Sequence, residues 1–292
     1  MRIDLHTHTR ASDGTQTAEE LVRAAKAAGL DVLGVTDHDT TEGWAASARA
    51  AQDVGITLVR GIEVSTKHLG RGAHLLAYLP DPTYPPLVTQ LRKILDGRSS
   101  RVPAMLERLR SVGVGVDIAD VRRASDGTAA TGRPHVADAL VALGVVPDRD
   151  AAFRRFLSPG RPAYVNRYAA PLVEMIRIVE EAGGVAVLAH PWGRHGPGSM
   201  PEGAITELAG LGLAGLEVDH QDHTPADREQ LRAIARRLDL VVTGSSDHHG
   251  LGKNDHELGC NTTAPEEYER LLALAEAAAA RSARPTPAVV GA

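Results

Sequence analysis

A chain of 292 residues with 43% hydrophobic content can bury a substantial core, and at roughly 150 residues per domain its length fits two domains or one α/β barrel. The formal charge of −5 excludes the basic footprint needed for duplex nucleic acid, without excluding small nucleotides. One cysteine, Cys260, excludes an internal disulfide, and the start Met1-Arg2-Ile3-Asp4-Leu5 has neither a signal-peptide core nor a membrane span, so the expectation is a cytoplasmic protein with no membrane partner and no evident obligate protein partner.

The first 80 residues alternate strand and helix. Ile3 to Leu5 reads as a short strand, and Thr17 with Glu20 forms a capping box before an alanine-rich helix that stops at Gly29. A strand over Val32 to Thr36, a helix over Thr41 to Val54 ending at Gly55, and strands over Thr57 to Val64 and Ala73 to Tyr78 follow. These aliphatic runs lack polar alternation, which suits strands buried on both faces in a mostly parallel sheet. From Tyr84 to Arg167 the rhythm breaks into helical segments (Leu87 to Leu95, Val102 to Val112, His135 to Leu143, Asp150 to Phe156) separated by Gly and Pro, which read as an inserted helical subdomain. After Pro171 the alternation resumes, with strands over Val185 to Ala189, Gly215 to Val218 and Leu240 to Ser245 and a last helix over Pro265 to Ala280. The fold class is α/β, with a discontinuous barrel of about seven strands over 1–83 and 168–282, an insertion over 84–167, and a loose tail over 283–292.

Thirteen histidines are present, and many fall with acidic residues at the ends of these strands: His6-Thr7-His8 with Asp13, Asp37-His38-Asp39, Glu63, His74, Ala189-His190-Pro191 and Asp247-His248-His249. His6 and His8, two apart on a strand, share a face and can hold one cation. Taken singly each cluster is ordinary: His38 can start a helix, Glu63 can pair with a lysine, His190 can precede a turn. Together they are not, because Glu63 lies inside the apolar stretch Leu58 to Val64, where an unpaired carboxylate is costly and a cation removes the cost. Imidazole mixed with hard oxygen ligands suits Mn, Fe or Zn.

His6-Thr7-His8 with Ser12-Asp13-Gly14, Val35-Thr36-Asp37-His38, Gly61-Ile62-Glu63, His74-Leu75-Leu76, Leu188-Ala189-His190-Pro191 and Gly244-Ser245-Ser246-Asp247-His248-His249 resemble the motifs of the polymerase and histidinol phosphatase (PHP) superfamily over nearly all of the barrel. The resemblance implies a distorted (β/α)7 barrel with two or three divalent ions at the strand carboxyl ends. Position by position it puts His6, His8, Glu63 and Asp247 on one ion, Glu63 with His74 and His190 on a second, and Asp13, His38 and His249 on a third. In many relatives a histidine stands in place of Asp13. His248 is then a neighbour of the site and not a ligand.

Nine such ligands carry three carboxylate charges against the six of three divalent ions, an excess that attracts an anionic substrate. Paired cations acidify a bridging water and clamp phosphoryl oxygens, so hydroxide attack on phosphorus is the expected step. Asp247 is counted as catalytic as well as ligating, and His195, His220 and His223, near loops that follow strand ends, are candidates to protonate a leaving group or touch substrate. His68 and His256 are expected in solvated loops. In the insertion, Thr131-Gly132-Arg133-Pro134-His135 and Pro159-Gly160-Arg161-Pro162 are Gly-Arg-Pro turns that can aim a guanidinium at phosphate, so Arg133, His135, Arg161 and Lys253 are candidate substrate contacts, and Trp192 can stack on a base or pack in the core.

The expected activity is a metal-dependent phosphoesterase acting on a small phosphorylated substrate, a nucleoside 3′,5′-bisphosphate or a short RNA 5′ end, as in the PHP phosphatases and 5′–3′ exoribonucleases that carry an insertion here. Histidinol-phosphate phosphatase is the alternative, and a non-catalytic metal-stabilised interaction module is the alternative of another class.

Overall fold

Seven strands, β1 (Ile3–Thr7), β2 (Val32–Val35), β3 (Thr57–His68), β4 (Arg71–Tyr78), β6 (Val185–Ala189), β7 (Gly215–Asp219) and β8 (Val241–Gly244), hydrogen-bond in that order, and the two-residue β5 (Ala170–Pro171) pairs with β3 off this path. The sheet returns on itself: Thr7 bridges His248 in the parallel sense, and the His8 N–H donates to the His248 carbonyl at 2.9 Å. The computed structural model describes residues 1–193 and 196–291. His195, one of the expected catalytic candidates, lies outside the described residues.

The expected parallel sheet has one exception with consequences. β4 runs antiparallel to both β3 and β6, reversing at Leu69 and Gly70, whose φ values are +47° and +78°. His74 therefore sits near the start of its strand yet pairs with Ser65 on β3 and with Ala189 on β6.

Every residue of β1, β2, β6 and β8 is buried, which is why their sequences lack polar alternation. Side chains alternate across the sheet, so Ile3, Leu5, Val59, Leu76, Val187 and Val241 form one apolar cluster inside it while Ile62, Val64, Leu75, Leu188, Leu216 and Val218 pack outward under helices. Those helices include α1 (Ala18–Ala27), held by the expected Thr17–Glu20 capping box, α2 (Trp44–Val54), α8 (Leu172–Glu181), α9 (Glu202–Gly210), α10 (Pro225–Arg237) and α11 (Pro265–Ser282).

Between β4 and β5 lie α3 (Pro85–Ser100), α4 (Val102–Ser111), α5 (Ile118–Ser125), α6 (Arg133–Ala142), α7 (Arg149–Ala152) and a π-helical turn over Phe153–Leu157. The helices from α4 onward have their own core, around Met105, Leu109, Val121, Val136, Leu140 and Leu157. α3 does not share it: Leu87, Leu91 and Ile94 pack into the barrel's outer cluster, so the separate core begins near Val102 and not at residue 84. The tail, expected to be loose, is tied down over its described part, because Val290 exchanges backbone hydrogen bonds with Leu58 (2.9 and 3.1 Å) and Arg60 donates to the Ala288 carbonyl at 2.8 Å. Among the described residues no helix is long and apolar enough to cross a membrane.

Candidate metal centre

His6 near the end of β1 and His8 just beyond it are both fully buried. Their Nε2 atoms lie 3.0 Å apart, each 3.2 Å from Glu63 Oε2 and 3.5 and 3.3 Å respectively from Asp247 Oδ1. Two imidazoles and two carboxylates thus point their ligand atoms at one spot. Glu63 turns its other oxygen the opposite way: Oε1 is 2.7 Å from His74 Nδ1 and 3.1 Å from His190 Nε2. One carboxylate therefore divides its oxygens between two sets of imidazoles, the arrangement of a bridging ligand.

His38 stands between this pair and a third set. Its Nδ1 is 3.0 Å from Glu63 Oε2, and its Nε2 is 3.8 Å from Asp13 Oδ2, while His249 Nε2 is 3.3 Å from Asp13 Oδ1. His8, Asp13, His38 and His249 form one tight ligand group, and His38 with Glu63 and His74 forms another.

The donor atoms fit divalent ions by a direct criterion. Asp13 Oδ1, His38 Nδ1 and Asp247 Oδ1 are buried without a hydrogen-bond partner, although each lies within ion-pairing distance of a neighbour. Close approach without hydrogen-bond alignment is what lone pairs aimed at a common centre produce, and leaving such atoms without a ligand costs about 1–3 kcal/mol each. His190 and Asp247 also hold positive φ, +27° and +52°, a strained conformation for side chains larger than glycine's.

Burial alone would push the carboxyls of Glu63, Asp13 and Asp247 up, but the imidazoles around Glu63 and Asp13, and the Lys253 ammonium with His6 beside Asp247, hold all three well below the usual range. Burial likewise opposes charge on the histidines, with a split result. Glu217, Glu63 and Asp247 raise His6, and hydrogen bonding to Asp247 and Glu63 pushes His8 up to about 9. His38 is left at about 3 because burial outweighs Glu63 and Asp13.

Glu217 escaped the sequence reading. It is fully buried on β7, accepting from His6 Nδ1–H at 2.9 Å, from the His190 backbone N–H at 2.9 Å and from the Ser245 hydroxyl. By accepting the Nδ1–H bond it holds the proton on Nδ1 and leaves His6 Nε2 free to ligate. The signal was available, since Glu217 sits in the apolar run Gly215 to Val218 as Glu63 does in its own.

The other candidates divide. His220 Nδ1 accepts from the Asp222 N–H at 3.1 Å and Nε2 lies 3.2 Å from Asp247 Oδ2, which sets the ring directly against the ligand group, and burial lowers His220 to about 4. His223 has both nitrogens engaged, with the Val218 carbonyl and the Trp192 N–H, and belongs to the turn. Trp192 is buried and donates to the Met200 carbonyl, so it packs in the core. Lys253 Nζ lies on Asp247 Oδ2. His135 Nδ1 accepts from the Gly132 N–H and Nε2–H donates to the Ser12 carbonyl at 3.0 Å, pinning the insertion to the Asp13 loop. Arg133 is held over the rings of Phe153 and Tyr164, and Arg161 is exposed, apart from the cluster. His248 bonds to Gln16 and the His256 carbonyl, outside the ligand set. His256 is buried, not solvated, and groups with His220 and Asp247.

The family described as PHP domain matches residues 4–93. A 3′,5′-nucleoside bisphosphate phosphatase of Chromobacterium violaceum is 35% identical over 258 residues, covering 88% of this chain and 90% of that protein. The chain belongs to the PHP family. A 5′-3′ exoribonuclease of Haemophilus influenzae is 33% identical over 87% of the chain and 94% of its own length. A solved structure from Bifidobacterium adolescentis, described as a metal-dependent phosphoesterase, superposes with a TM-score of 0.89 at 36% identity, covering 93% of this chain and 96% of that one. The PHP chain described here thus shares both fold and sequence with metal-dependent phosphoesterases, and buried His, Asp and Glu clusters that could bind metal are present in it.

Proposed function

We propose that this PHP protein removes phosphate, or a terminal nucleotide, from a small nucleotide carrying more than one phosphate, a nucleoside 3′,5′-bisphosphate or a short RNA 5′ end. The observation that carries the reading is the divided carboxylate of Glu63, with His6 and His8 on one oxygen and His74 and His190 on the other. His6, His8, Glu63 and Asp247 would hold one divalent ion, Glu63, His74 and His190 a second, and Asp13, His38 and His249 a third, with Mn, Fe or Zn as the metals. Bound there, such ions would acidify water and neutralise phosphoryl oxygens.

The chain's own residues set up the rest. Glu217 fixes the His6 tautomer, and His220 holds Asp247 Oδ2 so that Oδ1 faces the ligand group. Lys253 adds a positive charge beside Asp247, at the edge of the ligand group. The Ser12–Asp13 loop is clamped by His135 and by Arg149, which donates to the Asp13 carbonyl at 2.9 Å, so the insertion stabilises the third ligand group.

The relatives support a nucleotide substrate, since one is a nucleoside bisphosphate phosphatase and another a 5′-3′ exoribonuclease. Phosphate release from 3′,5′-bisphosphoadenosine by the Mn-loaded protein tests the reading. Turnover is expected; no turnover, together with hydrolysis of histidinol phosphate, would replace it with the alternative phosphatase.

A further inference from the structure

The apolar core of the insertion from α4 onward shares no residue with the barrel's outer cluster, and where the two meet beside the ligand groups the contact is polar. Three of its bonds fall on one short segment. Thr128 Oγ1–H donates to the Ala11 carbonyl at 2.5 Å, His135 Nε2–H to the Ser12 carbonyl at 3.0 Å and Arg149 Nη1–H to the Asp13 carbonyl at 2.9 Å. Three successive carbonyls of the loop after β1 are thus each met by a different side chain of the insertion. The barrel takes up the donors of the same loop: the Thr9 carbonyl accepts from the Ser12 and Gly14 N–H groups, and Asp37 accepts from the Thr9 N–H and from the Thr9 and Ser12 hydroxyls.

Arg149 reaches further than the other two. It opens α7, and its Nε and Nη2 pair with the two oxygens of Asp138 on α6, which fixes the guanidinium and leaves Nη1 for Asp13. On its other side runs the chain that follows His249. A Cβ at Gly252 would lie 2.1 Å from Arg149 Nη1 and 2.6 Å from Cζ, so the turn Gly250–Gly252 packs against the guanidinium as only glycine can. That turn is joined to the Asp13 loop, since the Thr15 N–H donates to the His249 carbonyl at 3.1 Å and the Leu251 N–H to the Thr15 hydroxyl at 2.8 Å. Asp13 Oδ1 and His249 Nε2, 3.3 Å apart, are therefore braced by one arginine from the insertion. The other ligand groups are oriented from within the barrel, where Glu217 holds His6 and His190 and His220 meets Asp247.

We infer that Thr128, His135 and Arg149 couple the closed position of the insertion to the third ion, the one that Asp13, His38 and His249 would hold. Closure fixes Asp13 and His249 at ligating distance, and by reciprocity an ion bound there holds the insertion closed. The first two ions do not depend on it, so the centre becomes a three-ion site only beneath the closed insertion. Arg149 is the main positioning residue, acting through the Asp13 carbonyl and the turn after His249. The inference rests on the metal reading of this ligand group and deepens it, by making the third ion conditional on a second part of the fold.

Mn titration against a chelator, with elemental analysis at saturation, counts and ranks the ions in wild type, Arg149→Gln, Thr128→Val and Asp13→Asn. Asp13→Asn identifies which step of the titration is the third ion. Wild type should bind three. Arg149→Gln should weaken the third by about tenfold or more and spare the other two. Thr128→Val, which keeps the side-chain shape and loses one hydroxyl, should weaken the same ion to a smaller extent, and it decides the matter should Arg149→Gln not fold. Hydrogen exchange reads the coupling in reverse: Mn should slow exchange of the amides over 118–157 in wild type. Asp13→Asn lies outside the insertion and keeps its backbone carbonyl, yet it should remove most of that slowing. Equal weakening of all ions, an unweakened third ion, two ions in saturated wild type, or exchange indifferent to Mn overturns the coupling. Neither arm needs turnover, so a wild type that shows both effects but hydrolyses no phosphate ester sinks the phosphoesterase reading and leaves the coupling standing.

Discussion

Replacing Glu217 by Gln isolates a residue that touches ligands without being one. Three donors converge on its two oxygens: His6 Nδ1–H and the Ser245 hydroxyl on Oε1, and the His190 N–H on Oε2. Glutamine keeps one acceptor oxygen and turns an NH2 toward the other side, so at least one buried donor opposes a donor, at a cost of about 1–3 kcal/mol. The negative charge that holds the His6 tautomer is lost as well, and changes of this kind typically weaken metal binding ~10–100-fold. Chelator-competition titration of Mn or Zn, run beside urea unfolding of the metal-free protein, reads both effects. Glu217→Gln should lower metal affinity at least about tenfold and shift the unfolding midpoint down. A variant with unchanged affinity and midpoint would refute the claim that Glu217 orients His6 and His190.

Asp247→Asn should reduce both bound metal and phosphatase turnover, because its Oδ1 belongs to the first ligand group; metal content by elemental analysis unchanged from wild type would count against that assignment. Metal-free protein should lose stability as pH rises from about 6.5 through about 9, since His8 is raised to about 9 and its contribution is complete below its unfolded value and gone above its folded one; at about 1.4 kcal/mol per unit His8 alone accounts for roughly 3.5 kcal/mol, and His6 and His190, also raised, act in the same direction. Metal-loaded protein should run the other way over the same range, because the cation must displace those protons, and urea midpoints at pH 6 and 9.5 with and without chelator separate the two. Gly34→Ala should unfold or strongly destabilise the barrel, as the new Cβ would lie 2.2 Å from the Leu5 carbonyl oxygen between β1 and β2; a melting temperature within a few degrees of wild type would show that β1 can yield there.

Strand and helix order was legible because the elements announce themselves locally: aliphatic runs for β1, β2 and β6, a capping box at Thr17, glycine stops at Gly29 and Gly55. The residues that converge at the candidate centre were legible for a related reason, since carboxylate and imidazole at the end of a buried strand need compensation whatever the fold. Glu217 obeys the same rule but lacks a histidine beside it in sequence, and its partners arrive from β1, β6 and the residue after β8. His223 and His135 show where spacing is silent, because a histidine that bonds to backbone groups has the same sequence signature as one that meets substrate.

The orientation of β4 explains how the second ligand group forms at all. In a wholly parallel barrel a residue near the start of a strand lies at the end opposite the site, and His74 would have been stranded there. The reversal at Leu69–Gly70 brings it back: Glu63 pairs with Leu76, Ser65 with His74, and across the next interface His74 pairs with Ala189, directly before His190. Two antiparallel interfaces thus set Glu63 on β3, His74 on β4 and His190, the residue after β6, side by side. Because side chains alternate with a period of two, a one-residue slip of β4 against β3 would turn His74 to the outer face and leave Glu63 Oε1 with His190 alone. The bridging role read into Glu63 therefore depends on hairpin register as much as on residue type, which is why motif spacing alone could name these ligands but not show how they meet.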